Sequence, residues 1–168
     1  MFDPSASGAI ARQRVRDRLR SSDQADQERR ERGIVDCLAN APLFAQCSKR
    51  EHRLVAKLAK VKRVPPGTTI VTEGEEGETM FVVLSGHAAV RKSGRKIAEL
   101  GPGDVVGELA VLGKAPRNAT VVTTAEALIA TIGRRDVYRL LEDAPGFARK
   151  LLEALANRVR DLDTRLVG

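Results

Sequence analysis

The chain has 168 residues, enough for one domain with a single core plus an appendage, and a formal net charge of +7 that suits an acidic ligand or surface. Two cysteines without a CxxC spacing and only two histidines weigh against a disulfide or a metal site at the cysteines. No apolar run reaches membrane-spanning length and the N-terminus lacks a secretory hydrophobic region, so a cytoplasmic protein is expected.

Residues 1–33 read as a basic N-terminal arm, disordered or a surface helix. Met1 to Gly8 is small and polar, which predicts disorder. Arg12, Arg14, Arg16, Arg18, Arg20, Arg29, Arg30 and Arg32 follow, partly offset by Asp17, Asp23, Asp26, Glu28 and Glu31. Ile10, Val15 and Leu19 are too few for a core-facing stripe. A solvated helix or tail is favoured over an arm for nucleic acid or an anionic membrane, because no aromatic residues interleave to stack on bases.

Ile34 to Val64 reads as two or three helices. Ile34, Val35 and Leu38, then Pro42-Leu43-Phe44, then Leu54, Val55, Leu58 and Val61 recur at helical spacing. Ser48 is a natural N-cap, and Glu51 completes a capping-box pattern. Cys37 and Cys47 are expected to be small buried hydrophobes. The basic residues here (among them Lys49, Arg53, Lys57 and Lys60) fit a solvated helix face.

Pro65-Pro66-Gly67 punctuates a change to β structure. Short strands with turn signals between them then predict an all-β sandwich or barrel. The expected strands are Thr68 to Thr72, Thr79 to Leu84, His87 to Lys92, Lys96 to Leu100, Val121 to Thr123 and Ala127 to Ile132, with Gly101-Pro102-Gly103-Asp104 leading to Val105 and Val106. Glu73 to Glu78, with four glutamates and two glycines, reads as a solvated loop with no calcium-loop spacing.

Gly107-Glu108-Leu109-Ala110-Val111-Leu112, followed by Arg117-Asn118-Ala119-Thr120, is the stretch that carries chemistry. Gly107 allows close backbone approach to a ligand. A short helical turn from Glu108 points unpaired N–H groups at an anion. Arg117 offers a planar fork for two phosphate oxygens. Glu108 is acceptor-only and suits a sugar hydroxyl. Phosphate plus sugar hydroxyl indicates a nucleotide.

Gly101, Gly103 and Gly107 mimic part of a dinucleotide fingerprint, but the spacing is wrong and no βαβ context surrounds them. Asn118-Ala119-Thr120 spells a glycosylation sequon that means nothing without secretion. Metal catalysis in a barrel needs several converging ligands; His52 and His87 are scattered, and no metal site is expected. No nucleophile signature is present either, so a binding module is read here and not an enzyme.

Asp136 to Leu166 reads as helical, interrupted near Asp143-Ala144-Pro145-Gly146, with Pro145 opening the last helix. Leu152, Leu155, Val159, Leu162 and Leu166 form a two-heptad seam, equally suited to packing on the chain's own barrel or against a second copy.

G-E-L-A-x-L followed by R-x-A-T, preceded by E-G-x-x-G-x-x-M-F-V-V-L-x-G and L-G-P-G-D, resembles the phosphate-binding cassette region of the cyclic nucleotide-binding domain family. That family includes protein kinase A regulatory subunits, catabolite activator protein and cyclic-nucleotide-gated channels. The resemblance covers roughly Ile34 to Leu166, so residues 34–168 are identified as one such domain. It implies a mainly β fold with flanking helices: a jelly-roll β-barrel, an N-terminal helical bundle and a C-terminal lid helix. It further implies that Arg117 and the N–H groups of Ala110 and Ala119 or their neighbours hold a cyclic phosphate, with Glu108 on the ribose 2′-hydroxyl. Val90 and Ile97 would line the purine pocket, and Arg158 on the lid helix would reach the base.

The ligand implied is cAMP or cGMP. Asn118, where many cAMP sites have Ala and cGMP sites Thr, can donate and accept and so does not decide; family frequency favours cAMP. The resemblance also implies an inward draw of the C-terminal helix on binding, an unknown effector protein and a homodimer through that helix. Two other functions stand beside this one. A transcription regulator would have to use the basic N-terminal segment, since the chain stops after the lid helix with no room for a helix-turn-helix. An interaction domain that lost its ligand would have no packing use for Glu108 and Arg117.

Overall fold

A computed structural model describes the backbone of residues 4–167 and the side chains of residues 12–157, 159–161, 163 and 164. Two compact units divide between Gly33 and Ile34. Helix α1 (Pro4–Ala39) forms the first unit and contributes its last residues to the second. Helix already covers Pro4 to Gly8, where small polar composition predicts disorder. Proline is tolerated in the first turn because its missing N–H has no intrahelical partner there, and Ala6 and Ala9 favour the helix. Every side chain from Arg12 to Arg30 is exposed. Arg32 pairs locally with Glu28, and Gln13 donates to Asp17.

The second unit stacks helices on one sheet and that sheet on another. After a 3-10 turn at Pro42–Phe44 come α2 (Lys49–Leu58), β1 (Lys60–Val64), β2 (Thr69–Val71), β3 (Thr79–Ser85), β4 (Ala88–Lys92), β5 (Arg95–Leu100) and β6 (Val105–Val106). α3 (Glu108–Gly113), β7 (Thr120–Thr123), β8 (Ala127–Gly133), α4 (Arg134–Asp143) and α5 (Pro145–Val167) complete the chain. The strands pair antiparallel in the orders β1-β8-β3-β6 and β2-β7-β4-β5.

The run Met80-Phe81-Val82-Val83-Leu84 is apolar throughout because both faces of its sheet are covered. Met80, Val82 and Leu84 join Ala130 and Ile132 in a core under the helices. Val83 lies instead with Ala127 and Ile129 between the sheets, with Phe81 packed against that cluster. Val71, Ala88 and Val121 form the second sheet's inner cluster.

Three expectations change. Hydrogen bonding stays within each four-stranded sheet, so the β region is two packed sheets and not a closed barrel. Helical residues also outnumber strand residues, because α1 and α5 are long. Lys60 to Val64 is a strand; Val61 falls in step with Leu54 and Leu58 by chance, but it pairs with Ala130 across β8.

The capping box holds, with Ser48 Oγ accepting from the Glu51 N–H and Glu51 accepting from the Ser48 N–H. Glu51 also accepts from the Gly146 N–H at 2.9 Å, tying the start of α2 to the start of α5. Gly146 sits so close to the Gln46 carbonyl that a Cβ would strike it. Beside this junction Phe44 stacks on Phe147 with centroids 5.5 Å apart. Cys47 is buried, and burial followed by the Glu51 charge pushes its thiol up to about 11. Cys37 is exposed, contrary to expectation, although its Sγ lies 3.9 Å from the Leu84 carbonyl at the end of β3.

Candidate functional site

The chain leaves the first sheet at β6, turns once through α3 and re-enters the second sheet at β7, and this excursion builds the site. Gly107 caps α3 with φ 90° and ψ 5°, a left-handed conformation that favours glycine. Its bare α-carbon also matters for packing. A Cβ there would meet Arg117 Nη1, and the Thr79 carbonyl at 2.9 Å, so the close approach is to a side chain of the same protein as well as to the space beyond. The hydrogen-bond ladder of α3 starts from the Val111 N–H to the Gly107 carbonyl at 3.2 Å, so the Leu109 and Ala110 N–H groups precede it.

Arg117 is a buried cation, only 8% exposed. Nη2 donates to the Thr79 carbonyl at 2.8 Å, and the guanidinium lies 5.4 Å over the Phe81 ring. Gly77 presses against it from the β2–β3 loop, where any Cβ would overlap Nε and Cζ. Nη1 is buried and has no hydrogen-bond partner. Burial, then the neighbouring Arg134 charge, pulls the guanidinium below its ordinary value. A guanidinium still stays charged at neutral pH, so the site presents a fixed cation with a donor to spare.

The Glu73 to Glu78 loop, expected simply as solvated, supplies backbone partners. Gly74 N–H donates to the Arg117 carbonyl and Arg117 N–H to the Glu75 carbonyl, each at 2.8 Å.

A cavity of about 370 Å³ opens beside Arg117. Gly107, Glu108, Leu109, Ala110, Arg117, Asn118, Ala119, Val90 and Ile97 all line it. The side chain of Arg158 lies outside the described residues. Val71, Leu100, Val106 and Val121 complete the apolar wall, and Lys92 sits on the rim of charge. A second cavity, about 410 Å³, lies under α5 between Leu43, Leu151 and Leu155 and shares Val105 and Glu108 with the first. Leu152 and Val159 of the expected seam are exposed at 67% and 57%, while Phe147, Leu151 and Leu155 face the core. The side chains of Leu162 and Leu166 lie outside the described residues. Among the described residues no cluster of His, Cys, Asp and Glu is placed to hold a metal, and no helix is long and apolar enough to cross a membrane.

Arg134 is a site residue that sequence reasoning passed over. It opens α4, where a cation opposes the helix dipole; that misfit was the available signal. Phe81 and Gly77 belong to the E-G-x-x-G-x-x-M-F-V-V-L-x-G pattern, but their contacts with Arg117 leave no mark in the sequence, because a core phenylalanine and a loop glycine look alike everywhere.

The model of the cyclic nucleotide-binding domain matches residues 61–144, half of the chain. The chain belongs to that family. A cAMP-dependent protein kinase regulatory subunit from Hypocrea atroviridis is 31% identical over 121 residues, 72% of this chain and 26% of that protein. A cGMP-dependent protein kinase from Toxoplasma gondii is 34% identical over 104 residues, 62% of this chain and 10% of that protein. The crystal structure of Thermus thermophilus catabolite activator protein superposes with a TM-score of 0.71 at 29% identity, covering 75% of this chain and 62% of that one. The domain therefore spans well under half the length of these curated relatives.

Proposed function

We propose that the cavity beside Arg117 binds a 3′,5′-cyclic nucleotide and that this chain is a ligand sensor and not an enzyme. The observation that carries the reading is the buried Arg117 guanidinium, which lines a cavity of about 370 Å³ and leaves its Nη1 donor without a partner. Leaving such a donor unsatisfied is costly, and a phosphate oxygen would satisfy it with a charge-assisted bond. A domain that had lost its ligand would gain nothing from that cost. Arg117 with the N–H groups near Ala110 and Ala119 takes the cyclic phosphate, and Glu108 takes the ribose 2′-hydroxyl. Val90 and Ile97 pack on the base beside Asn118, and Arg158 reaches it from α5.

The ligand favoured is cAMP, in line with the kinase regulatory subunit named above. The two sheets form the halves of a jelly roll around this site. Ligand contact draws α5 inward, since only an interaction that differs between two states shifts their populations. The exposed Leu152 and Val159 then serve a second copy of the chain, and an effector protein reads the change.

The test is a thermal melt with and without cAMP and cGMP, followed by calorimetric titration. Ligand at about 100 times its dissociation constant adds roughly 2.7 kcal/mol, which raises the melting point by about 5–10 °C. A shift with one nucleotide, lost in Arg117→Ala, supports the reading and sets the base preference. Folded, nucleotide-free protein that shifts with neither sinks it.

A further inference from the structure

Arg117 is sandwiched between two walls that belong to different loops. Gly77 forms one, on the β2–β3 loop; Gly107 and α3 form the other. Val111 anchors the α3 wall in the core, whereas both glycines that face Arg117 are bare. Arg134 reaches both. Its Nη2 donates to the Gly77 carbonyl at 3.0 Å and to the Ala110 carbonyl at 3.3 Å, and its Nε donates to the Val111 carbonyl at 3.0 Å. Its Nη1 pairs with Glu78 at 3.4 Å, and its own backbone N–H donates to the Glu78 carbonyl at 2.7 Å.

We infer that Arg134 is a positioning residue for the anion site: its guanidinium clamps the β2–β3 loop to the C-terminal carbonyls of α3 and so sets the width of the slot through which Arg117 passes. The inference rests on reading Arg117 as the anion-binding group. The clamp needs arginine. Three carbonyls on two loops lie around one planar fork, and the ammonium of a lysine offers donors from a single atom. The arrangement also places two guanidiniums close enough to repel, and the Glu78 that pairs with Arg134 is largely exposed. That neighbourhood is unfavourable when empty and becomes favourable around an anion. Because Arg134 is the first residue of α4, the same clamp joins the slot to the helix that packs against α5.

The first experiment uses no ligand. Residue-resolved amide hydrogen exchange is compared in the wild-type protein, R134Q and R134K. In both variants the amides of Gly74, Val111 and Arg117 are expected to exchange at least tenfold faster, with β3 and β8 unchanged. Wild-type protection in R134Q overturns the clamp. Full rescue by R134K shows that charge and not the fork is what matters, and overturns it equally.

Titration with cAMP and cGMP follows. For whichever nucleotide the wild type binds, R134Q and R134K are each expected to weaken affinity tenfold or more. Unchanged affinity alongside faster exchange means the slot width does not govern binding, and the positioning role fails. If the wild type binds neither nucleotide, the function proposed above fails, while the exchange comparison still decides whether Arg134 holds the slot.

Discussion

Two groups of arginines in this chain differ in everything except their chemistry. Eight lie between Arg12 and Arg32 on α1, and their side chains are exposed. Their neighbours are solvent, local acids and amides, and exposed ion pairs of this kind contribute little. Arg117 and Arg134 sit in the folded sheet unit, one 8% exposed with an unused donor, the other spending its donors on three carbonyls and a carboxylate. Arginine count therefore sets the net charge, while burial and hydrogen-bond accounting locate the chemistry. A guanidinium taken out of water with fewer partners than donors points to a ligand that would complete them.

The largest effect that would sharpen this contrast is Arg117→Ala. Losing two charge-assisted bonds of about 1.5–3 kcal/mol each should weaken cyclic nucleotide binding by roughly 100-fold or more in calorimetry. The ligand-free melting point should stay close to that of the wild type, because a buried charge with an unmet donor is removed at the same time.

Phe147→Ala probes the opposite case, a residue whose value is packing alone. It is fully buried and stacked on Phe44, so chemical denaturation should report a loss of about 3–5 kcal/mol. Gly107→Ala comes next, at about 1–3 kcal/mol, because φ 90° is strained for alanine and the new Cβ meets Arg117. Gly33→Ala should show the reverse sign. Gly33 lies within α1 with open space around its α-carbon, and alanine there should stabilise the helix by about 0.5–1 kcal/mol in a circular dichroism melt.

Acid should act on the α2–α5 junction. Burial disfavours the charge on Glu51, but hydrogen bonds from the Ser48 and Gly146 N–H groups outweigh it and hold the carboxyl below its ordinary value. Its contribution is thus present above an unfolded carboxyl value of about 4.3 and is lost as pH falls through the lower folded value. Glu51→Gln should cost about 1 kcal/mol or less at pH 7, and this difference should shrink as pH falls below the ordinary carboxyl range. The smallest effect belongs to the arm: Arg14→Ala with Arg18→Ala should move stability by less than about 0.5 kcal/mol. A large change would break the contrast between the two arginine groups.

The cassette was legible in the sequence because its geometry demands particular residue types: a left-handed cap selects glycine at 107, and the anion fork proposed above calls for arginine at 117. The strands were legible because turns announce their ends, as at Ser93-Gly94 between β4 and β5. β1 was misread since three valine and leucine positions fit the helical period by coincidence. Arg134 was hidden for a deeper reason. Its partners are backbone carbonyls, which every residue supplies, so no pattern of side chains marks them. The exposure of Leu152 was equally hidden, because Leu151 beside it satisfies the core.

The junction at Gly146 has a mechanical consequence. With its N–H held by Glu51 and no room for a side chain against Gln46, the start of α5 is a fixed pivot. The helix beyond has 23 residues. At ~1.5 Å per residue it extends roughly 34 Å, so a rotation of about 10° at the pivot would carry its far end about 6 Å. The same rotation moves Leu151, beside the second cavity, by only about 1 Å, so a small adjustment there becomes a displacement at the far end large enough for another macromolecule to detect.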